Sequence, residues 1–199
     1  MPGRRGRRLW LVAAAAPAPG PAPWFPGPDE GPDAAVGLEV PADLATSVRD
    51  RVGRVDEVVR GPGRGPAATC QALSVEAEVD DDLRPPSFGT WAGRPVGEVL
   101  AGDPESAGRW RSDPTWAPPG GESLADLCGR MTVWLAGQGS REGRALVVAD
   151  AAVVRAIAVV ALGAGPASAW HLDIGPLTAA RVQCADGGWR LRALHPDAR

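Results

Sequence analysis

Hydrophobic and polar residues occur along this chain in blocks that predict strands followed by helices. Residues 9–12 form a short apolar run, which is typical of a strand buried on both faces. Residues 145–148 form a second such run, and an apolar helix over 153–162 follows it and ends at Gly163. We therefore expect a mostly parallel sheet covered by helices on both faces.

The remaining pattern adds two strands, three helices and a hairpin. Residues 42–53 and 68–74 read as helices that flank a strand in 54–62, and residues 77–95 as a strand followed by an irregular loop. The last block predicts an antiparallel edge hairpin, with one strand running to Cys184, a turn at 186–188 and a return strand from Trp189. The predicted fold class is α/β, a three-layer α/β/α sandwich.

The helix over 121–139 is the clearest of the chain. Ser123 precedes its apolar positions and is a residue type that caps helix N-termini. Its apolar face is predicted to comprise Leu124, Leu127, Met131, Val133, Trp134 and Leu135.

Composition limits the choice of function classes. The 199 residues suffice for one α/β domain, which we place at 9–195 between a basic flexible tail over 1–8 and a short tail over 196–199. All 21 basic residues are arginine, but the net charge of −3 argues against nucleic-acid binding. Residues 17–41 are rich in proline and glycine and predict a long loop.

The N-terminal apolar run and the cysteines indicate a cytoplasmic protein that does not bind a membrane. The run is short for a signal peptide and far too short to span a bilayer. Cys70, Cys128 and Cys184 are widely spaced and lack nearby histidines, so we read them as free thiols and expect no metal site or cofactor.

Ligands of parallel sheets bind at the carboxyl ends of the strands. Three segments are expected to meet there, namely 13–16, 61–68 and 149–152, and the loop around Pro85 is placed to close over them. The first strand ends in four alanines, Ala13 to Ala16, which carry no reactive group.

Five segments, in this order, resemble the histidine phosphatase superfamily, whose members are phosphoglycerate mutase-like. They are RGPGRGPAATCQAL, DDLRPPSFGTWAGRPVGEV, PGGESLADLCGRMTVWL, RALVVADAAVVRAIAVVALG and AWHLDIGPLTAARV. The resemblance covers most of residues 9–195. It implies a phosphoryl-accepting histidine in an Arg-His-Gly after strand one, a second Arg and second His that bind the phosphate, and a carboxylic acid that protonates the leaving group.

None of these roles is filled when the family positions are carried over. The Arg-His-Gly falls on Ala13, Ala14 and Ala15, the second Arg on Gly65, the acid on Pro85 and the second His on Asp150. The chain holds two histidines, His171 and His195, both near its C-terminus. Replacing the cations of such a site by neutral groups and adding Asp150 is expected to repel a phosphate dianion.

Three of the side chains near the predicted crevice have two possible interpretations each. Asp150 is either an N-cap for the following helix, which we favour, or a new acid or base. Arg64 is either a residual anion contact or a solvated loop residue, and Trp91 is either core packing or a ligand-stacking ring. Arg155 is read as structural pairing. The candidate residual pocket comprises Ala16, Arg64, Trp91, Asp150 and Ala151.

The leading functional hypothesis is a catalytically inactive member that binds or scaffolds an unknown small molecule or protein. The alternative is an enzyme of the same fold, with residual phosphatase or mutase activity or with a repurposed pocket for a non-phosphate substrate. The sequence is also compatible with a homodimer.

Overall fold

The computed structural model describes residues 6–16, 23–27, 38 and 40–195, and these build one mixed sheet between helices. Within that part of the chain the sheet has six strands in the order β3-β2-β4-β1-β5-β6. β3, β2, β4 and β1 are parallel, and β5 and β6 form the antiparallel edge. The strands are β1 (Arg8–Ala13), β2 (Glu57–Arg60), β3 (Glu78–Val79), β4 (Arg144–Ala149), β5 (Ala179–Ala185) and β6 (Gly188–His195).

Helices connect the parallel strands, as the alternating pattern predicts. In chain order they are α1 (Ala42–Val52), α2 (Arg64–Ala72), α3 (Val96–Gly102), α4 (Pro104–Ser112), α5 (Leu124–Gly139) and α6 (Ala151–Ala161). None of the described helices has the length and apolar character needed to cross a bilayer.

The side chains of β1 alternate between two cores and thereby confirm the three layers. Leu9 and Leu11 join a core formed with α5 and α6. Trp10 and Val12 join the opposite core, which α1 and α2 cover. A strand buried on both faces must be apolar at every position, and this is why residues 9–12 lack the usual polar alternation.

Residues 6–8 belong to the fold, so the expected flexible tail over 1–8 is wrong in this part. Arg8 starts β1, one residue earlier than predicted, and Gly6 bridges to Glu142. Arg7 is 2% exposed and pairs with Glu57. Residues 1–5 and 196–199, and most of the predicted 17–41 loop, lie outside the described residues.

The segment between β3 and α5 contains more helix than the sequence predicts. α3 and α4 are short helices with one buried residue each, Val99 and Ala107, so they lack the repeated apolar spacing that predicts a helix. Trp91 and Phe25 are buried here in an aromatic cluster with Phe88, Trp110 and Trp116. Trp91 therefore serves as core packing.

The helix predicted over 121–139 begins with a capping box. Ser123 Oγ accepts a hydrogen bond from the Asp126 amide at 3.0 Å, and the Asp126 carboxylate accepts one from the Ser123 amide at 3.2 Å. The assignment of Val133 to the apolar face is wrong, since its side chain is 74% exposed. The five other predicted positions are buried or pack against the core.

Candidate functional site

The end of β1 presents methyl groups and backbone groups that are already paired. Ala13 lies beside Ala149, the last residue of β4. The Ala14 amide donates to the Ala149 carbonyl at 2.7 Å, and the Ala13 amide donates to the Thr178 carbonyl at 3.0 Å. Ala13, Ala14 and Ala15 are buried, with exposures between 0% and 7%. The surface onto which the resemblance carries the family's Arg-His-Gly therefore offers a ligand neither a charged side chain nor a free amide at Ala13 or Ala14.

A buried threonine ties the loop after β1 to the first turn of α2. The Ala15 amide donates to Thr69 Oγ1 at 2.8 Å, and the same hydroxyl donates to the Gly65 carbonyl at 2.8 Å. Thr69 is fully buried. The hydroxyl uses both its acceptor and its donor capacity, so it holds the Ala15 loop and the α2 N-terminus together.

Two glycines near the carboxyl ends of the strands lie in close contact with the backbone of other segments. A Cβ at Gly65 would lie 2.8 Å from the Ala15 carbonyl oxygen, and one at Gly61 would lie 2.6 Å from the Leu83 carbonyl oxygen. Both distances are shorter than real Cβ contacts, so any side chain at either position would force the backbone apart. Gly65, onto which the resemblance carries the family's second Arg, is therefore in close contact, from the first turn of α2, with the loop after β1.

Asp150 lies at the turn between β4 and α6 and caps that helix. Its Oδ1 accepts a hydrogen bond from the Ala152 amide at 2.7 Å. Burial raises the pKa of the Asp150 carboxyl, while the Ala152 hydrogen bond and the Arg155 guanidinium oppose that rise. Asp150 fits the capping interpretation, and it places an acid where the family has its second His.

Two arginines near this edge, Arg155 and Arg60, differ in their hydrogen bonding. Arg155 Nε is buried and has no hydrogen-bond partner in the described part of the chain, so the expected structural pairing is not seen at that atom. Arg60 Nη1 donates to the Gly61 carbonyl at 3.1 Å. Burial raises the pKa of the Cys70 thiol to about 11, and the positive charge of Arg60 partly opposes that rise.

The other predicted pocket residues are dispersed. Ala16 and Arg64 are exposed, and Arg64 is the first residue of α2. Pro85 is exposed in the loop that follows a 3₁₀ turn over Asp81–Leu83. Ala151 packs against the α5–α6 core, whereas Trp91 belongs to the separate aromatic cluster.

Neither histidine follows β1 or β4. His171 is exposed at the end of a 3₁₀ turn over Pro166–His171. His195 ends β6, and its ring centroid lies 5.9 Å from that of Trp10. The described residues contain no group of three His, Cys, Asp or Glu side chains that would hold a metal ion.

Asp150 does not line either of two cavities that lie among the described residues. One, of about 270 Å³, lies between α1 and the segment after α2. The other, of about 230 Å³, lies at the amino ends of β1, β2 and β4. Neither is lined by a residue of the predicted pocket.

Comparison with known proteins decides the family. A sequence model of the histidine phosphatase superfamily (branch 1) matches residues 48–196. The chain belongs to this superfamily. The matched part begins within α1, so the alanine run at the end of β1 lies outside it.

Two mycobacterial relatives illustrate the range within this superfamily. The bifunctional protein Rv2228c of Mycobacterium tuberculosis is 33% identical over 132 residues, which are 63% of this chain and 35% of that protein. A glucosyl-3-phosphoglycerate phosphatase of Mycolicibacterium vanbaalenii is 32% identical over 118 residues, covering 54% of this chain and 51% of that protein. The chain thus spans about a third of the length of the curated relatives it matches first.

Solved structures of this superfamily superpose on most of the chain. The native mycobacterial glucosyl-3-phosphoglycerate phosphatase Rv2419c gives a TM-score of 0.74 at 20% identity, over 96% of this chain and all of that one. A structure titled mycobacterial hydrolase 1 gives a TM-score of 0.77 at 21% identity over 96% of this chain. These likenesses confirm the α/β fold expected from the resemblance.

Thr69 has a structural role that the sequence analysis above does not include. A threonine four residues after Gly65 in a helix is placed to bond back to the Gly65 carbonyl, and this spacing was an available signal. The bond from Ala15, 54 positions away, had no local signature.

Proposed function

We propose that this chain is a non-catalytic histidine phosphatase superfamily protein, which binds a small molecule or a protein without transferring phosphate. The observation that carries the proposal is the end of β1. Ala13 and Ala14 provide no nucleophile and no cation, and their amides are bonded to Thr178 and Ala149. A phosphoryl group carries close to two negative charges, and its transfer depends on groups that compensate them.

Asp150 and Gly65 support the same conclusion. Asp150 is an anion when ionised and a neutral acid when protonated, so it supplies no positive charge in either state. Gly65 has no side chain, and its approach to the Ala15 carbonyl occupies the volume that an arginine would need.

The raised pKa of Asp150 is the one feature that suits an acid or base in a repurposed enzyme. An acid–base residue must also reach a substrate, and neither of the two cavities is lined by Asp150. Its hydrogen bond to the Ala152 amide gives the carboxylate a structural role. These observations favour binding over chemistry at this edge.

Hydrolysis of p-nitrophenyl phosphate by the purified chain, at acidic and at neutral pH, tests the proposal. A panel of phosphorylated metabolites is assayed alongside and includes glucosyl-3-phosphoglycerate, the compound for which some relatives are named. We expect no turnover above buffer. Turnover that co-elutes with the chain in gel filtration, and that falls in Arg64→Ala or Asp150→Ala, would overturn the proposal.

A further inference from the structure

The cavity of about 230 Å³ lies at the opposite edge of the sheet from Asp150. Because β1, β2 and β4 are parallel, the residues that begin them meet at this edge. Arg8 begins β1, Asp56 precedes β2, and Gly143 precedes β4. The lining consists of Gly6, Arg8, Arg54, Asp56, Gly143 and Arg144.

Backbone hydrogen bonds fix the wall of this cavity. The Arg8 amide donates to the Gly143 carbonyl at 2.9 Å, and the Asp56 amide donates to the Arg144 carbonyl at 2.9 Å. Asp56 Oδ2 accepts a hydrogen bond from the Arg144 amide at 2.8 Å. Gly143 has φ +90°, and a Cβ there would lie 2.7 Å from Asp56 Oδ2. Glycine is thus required by both conformation and space, and the wall is formed before any ligand binds.

The charges on the lining are not balanced. The lining residues include three arginines and one aspartate, which gives a formal charge of about +2, and Arg144 Nη1 donates to the Arg54 carbonyl at 3.5 Å. None of Arg8, Arg54 and Arg144 forms a salt bridge within the described residues. The one carboxylate present already accepts from a backbone amide. By contrast, the neighbouring Arg7 is paired with Glu57.

We propose that this cavity binds a small doubly charged oxyanion, either inorganic phosphate or the phosphate group of a small monoester. Guanidinium groups bind phosphate through parallel hydrogen bonds, and the excess charge matches a dianion. The cavity is below the range of about 300–1,000 Å³ that is typical of drug-sized ligands, so the occupant is small. The site is separate from the family's catalytic edge and goes beyond the proposed function.

A titration with inorganic phosphate, followed by amide chemical shifts at constant ionic strength, tests this site. We expect saturable shifts at Arg54, Gly143 and Arg144, with a Kd of about 1 mM or below. The amides of Ala15 and Ala151 should not shift. Shifts that do not saturate, or that chloride reproduces, would overturn the proposal.

Matched variants locate the binding. Arg54→Gln combined with Arg144→Gln should weaken phosphate binding about tenfold or more, which corresponds to about 1.4 kcal/mol. Arg111→Gln removes an exposed arginine of α4 and should leave the affinity unchanged. The dispersion of the amide spectrum verifies that each variant is folded, and the two single variants replace the double variant if it is not. Equal affinity in all folded variants would refute the assignment.

Two further ligands identify the source of the phosphate group. Tighter binding of glycerol phosphate than of inorganic phosphate would indicate a monoester, and the reverse would indicate the free ion. Succinate binding as tightly as both would contradict the phosphate class. Saturable shifts at Ala15 and Ala151 instead of Gly143 would refute this site and would also argue against the non-catalytic proposal. Phosphatase turnover without those shifts would contradict the proposed function and leave this site unaffected.

Discussion

Replacing Thr69 by valine tests whether the crevice is held closed by the hydroxyl bridge between Ala15 and Gly65. Valine keeps the shape of threonine but removes the hydroxyl. The Ala15 amide then loses its acceptor at 2.8 Å while remaining buried, since Ala15 is 7% exposed. The Gly65 carbonyl also loses the hydroxyl donor at 2.8 Å.

The two losses set the expected magnitude. A buried amide without a partner costs about 1–3 kcal/mol, and the lost hydroxyl bond adds about 0.5–1.5 kcal/mol. Thr69→Val should therefore lower the free energy of unfolding by about 2–4 kcal/mol. For a chain of this length that is a fall in Tm of roughly 5–15 °C.

Thr69→Ser is the matched control because it keeps the hydroxyl and loses one buried methyl group. Its expected cost is about 1 kcal/mol. Urea unfolding followed by tryptophan fluorescence measures both variants, and hydrogen exchange at the Ala15 amide reports on the bridge itself. We expect the Ala15 amide to lose protection in Thr69→Val and to keep it in Thr69→Ser. Equal stability of the two variants, or unchanged protection of Ala15 in Thr69→Val, would refute the reasoning.

Changes at three other places in the molecule, namely Asp150, the cysteines and the Arg7–Glu57 pair, have expected outcomes. Burial raises the pKa of Asp150, so this group lowers the free energy of unfolding progressively as the pH rises from the ordinary carboxyl range toward the raised pKa, and acidification reverses that loss. Asp150→Asn should therefore be at least as stable as the wild type near pH 7 and should lose that advantage on acidification. Asp150→Ala loses the helix cap and should cost about 1 kcal/mol. Urea unfolding at several pH values measures both variants. Iodoacetamide should modify the partly exposed Cys184 before Cys70, whose pKa of about 11 leaves little thiolate at neutral pH, as peptide mass spectrometry would detect. Arg7→Met removes the buried guanidinium that bonds Glu57 and Gln138, while Glu57 keeps Arg141 at 2.9 Å, so it should cost about 1.5–3 kcal/mol in urea unfolding, and adding Glu57→Gln should recover part of that loss.

The sequence predicted the layered sheet because its strongest signals come from residues that are buried on both sides. The apolar runs of β1 and β4 and the glycine turn of the edge hairpin are local features, and each specifies its element without help from distant residues. The predictions failed where the partner is remote. Arg7 reads as part of a basic tail until Glu57 and Gln138 are placed beside it.

The candidate site could be predicted in part. The resemblance predicts which residue types occupy the family's catalytic positions. The carboxylate of Asp150 precedes an apolar helix, and this pattern predicts the helix cap. The close packing at Gly65 and Gly61 could not be predicted, because it depends on how closely these residues approach carbonyl groups of other segments. Such distances come from the packing of whole elements, for which the sequence has no local pattern.

The contact between Gly65 and Ala15 also has an evolutionary consequence. Any side chain introduced at position 65 would have its Cβ 2.8 Å from the Ala15 oxygen, so an arginine there requires the loop after β1 to move first. Moving that loop breaks the bond between Ala15 and Thr69. A change from Gly65 to arginine is therefore expected to destabilise the chain unless a second substitution first relaxes the loop after β1.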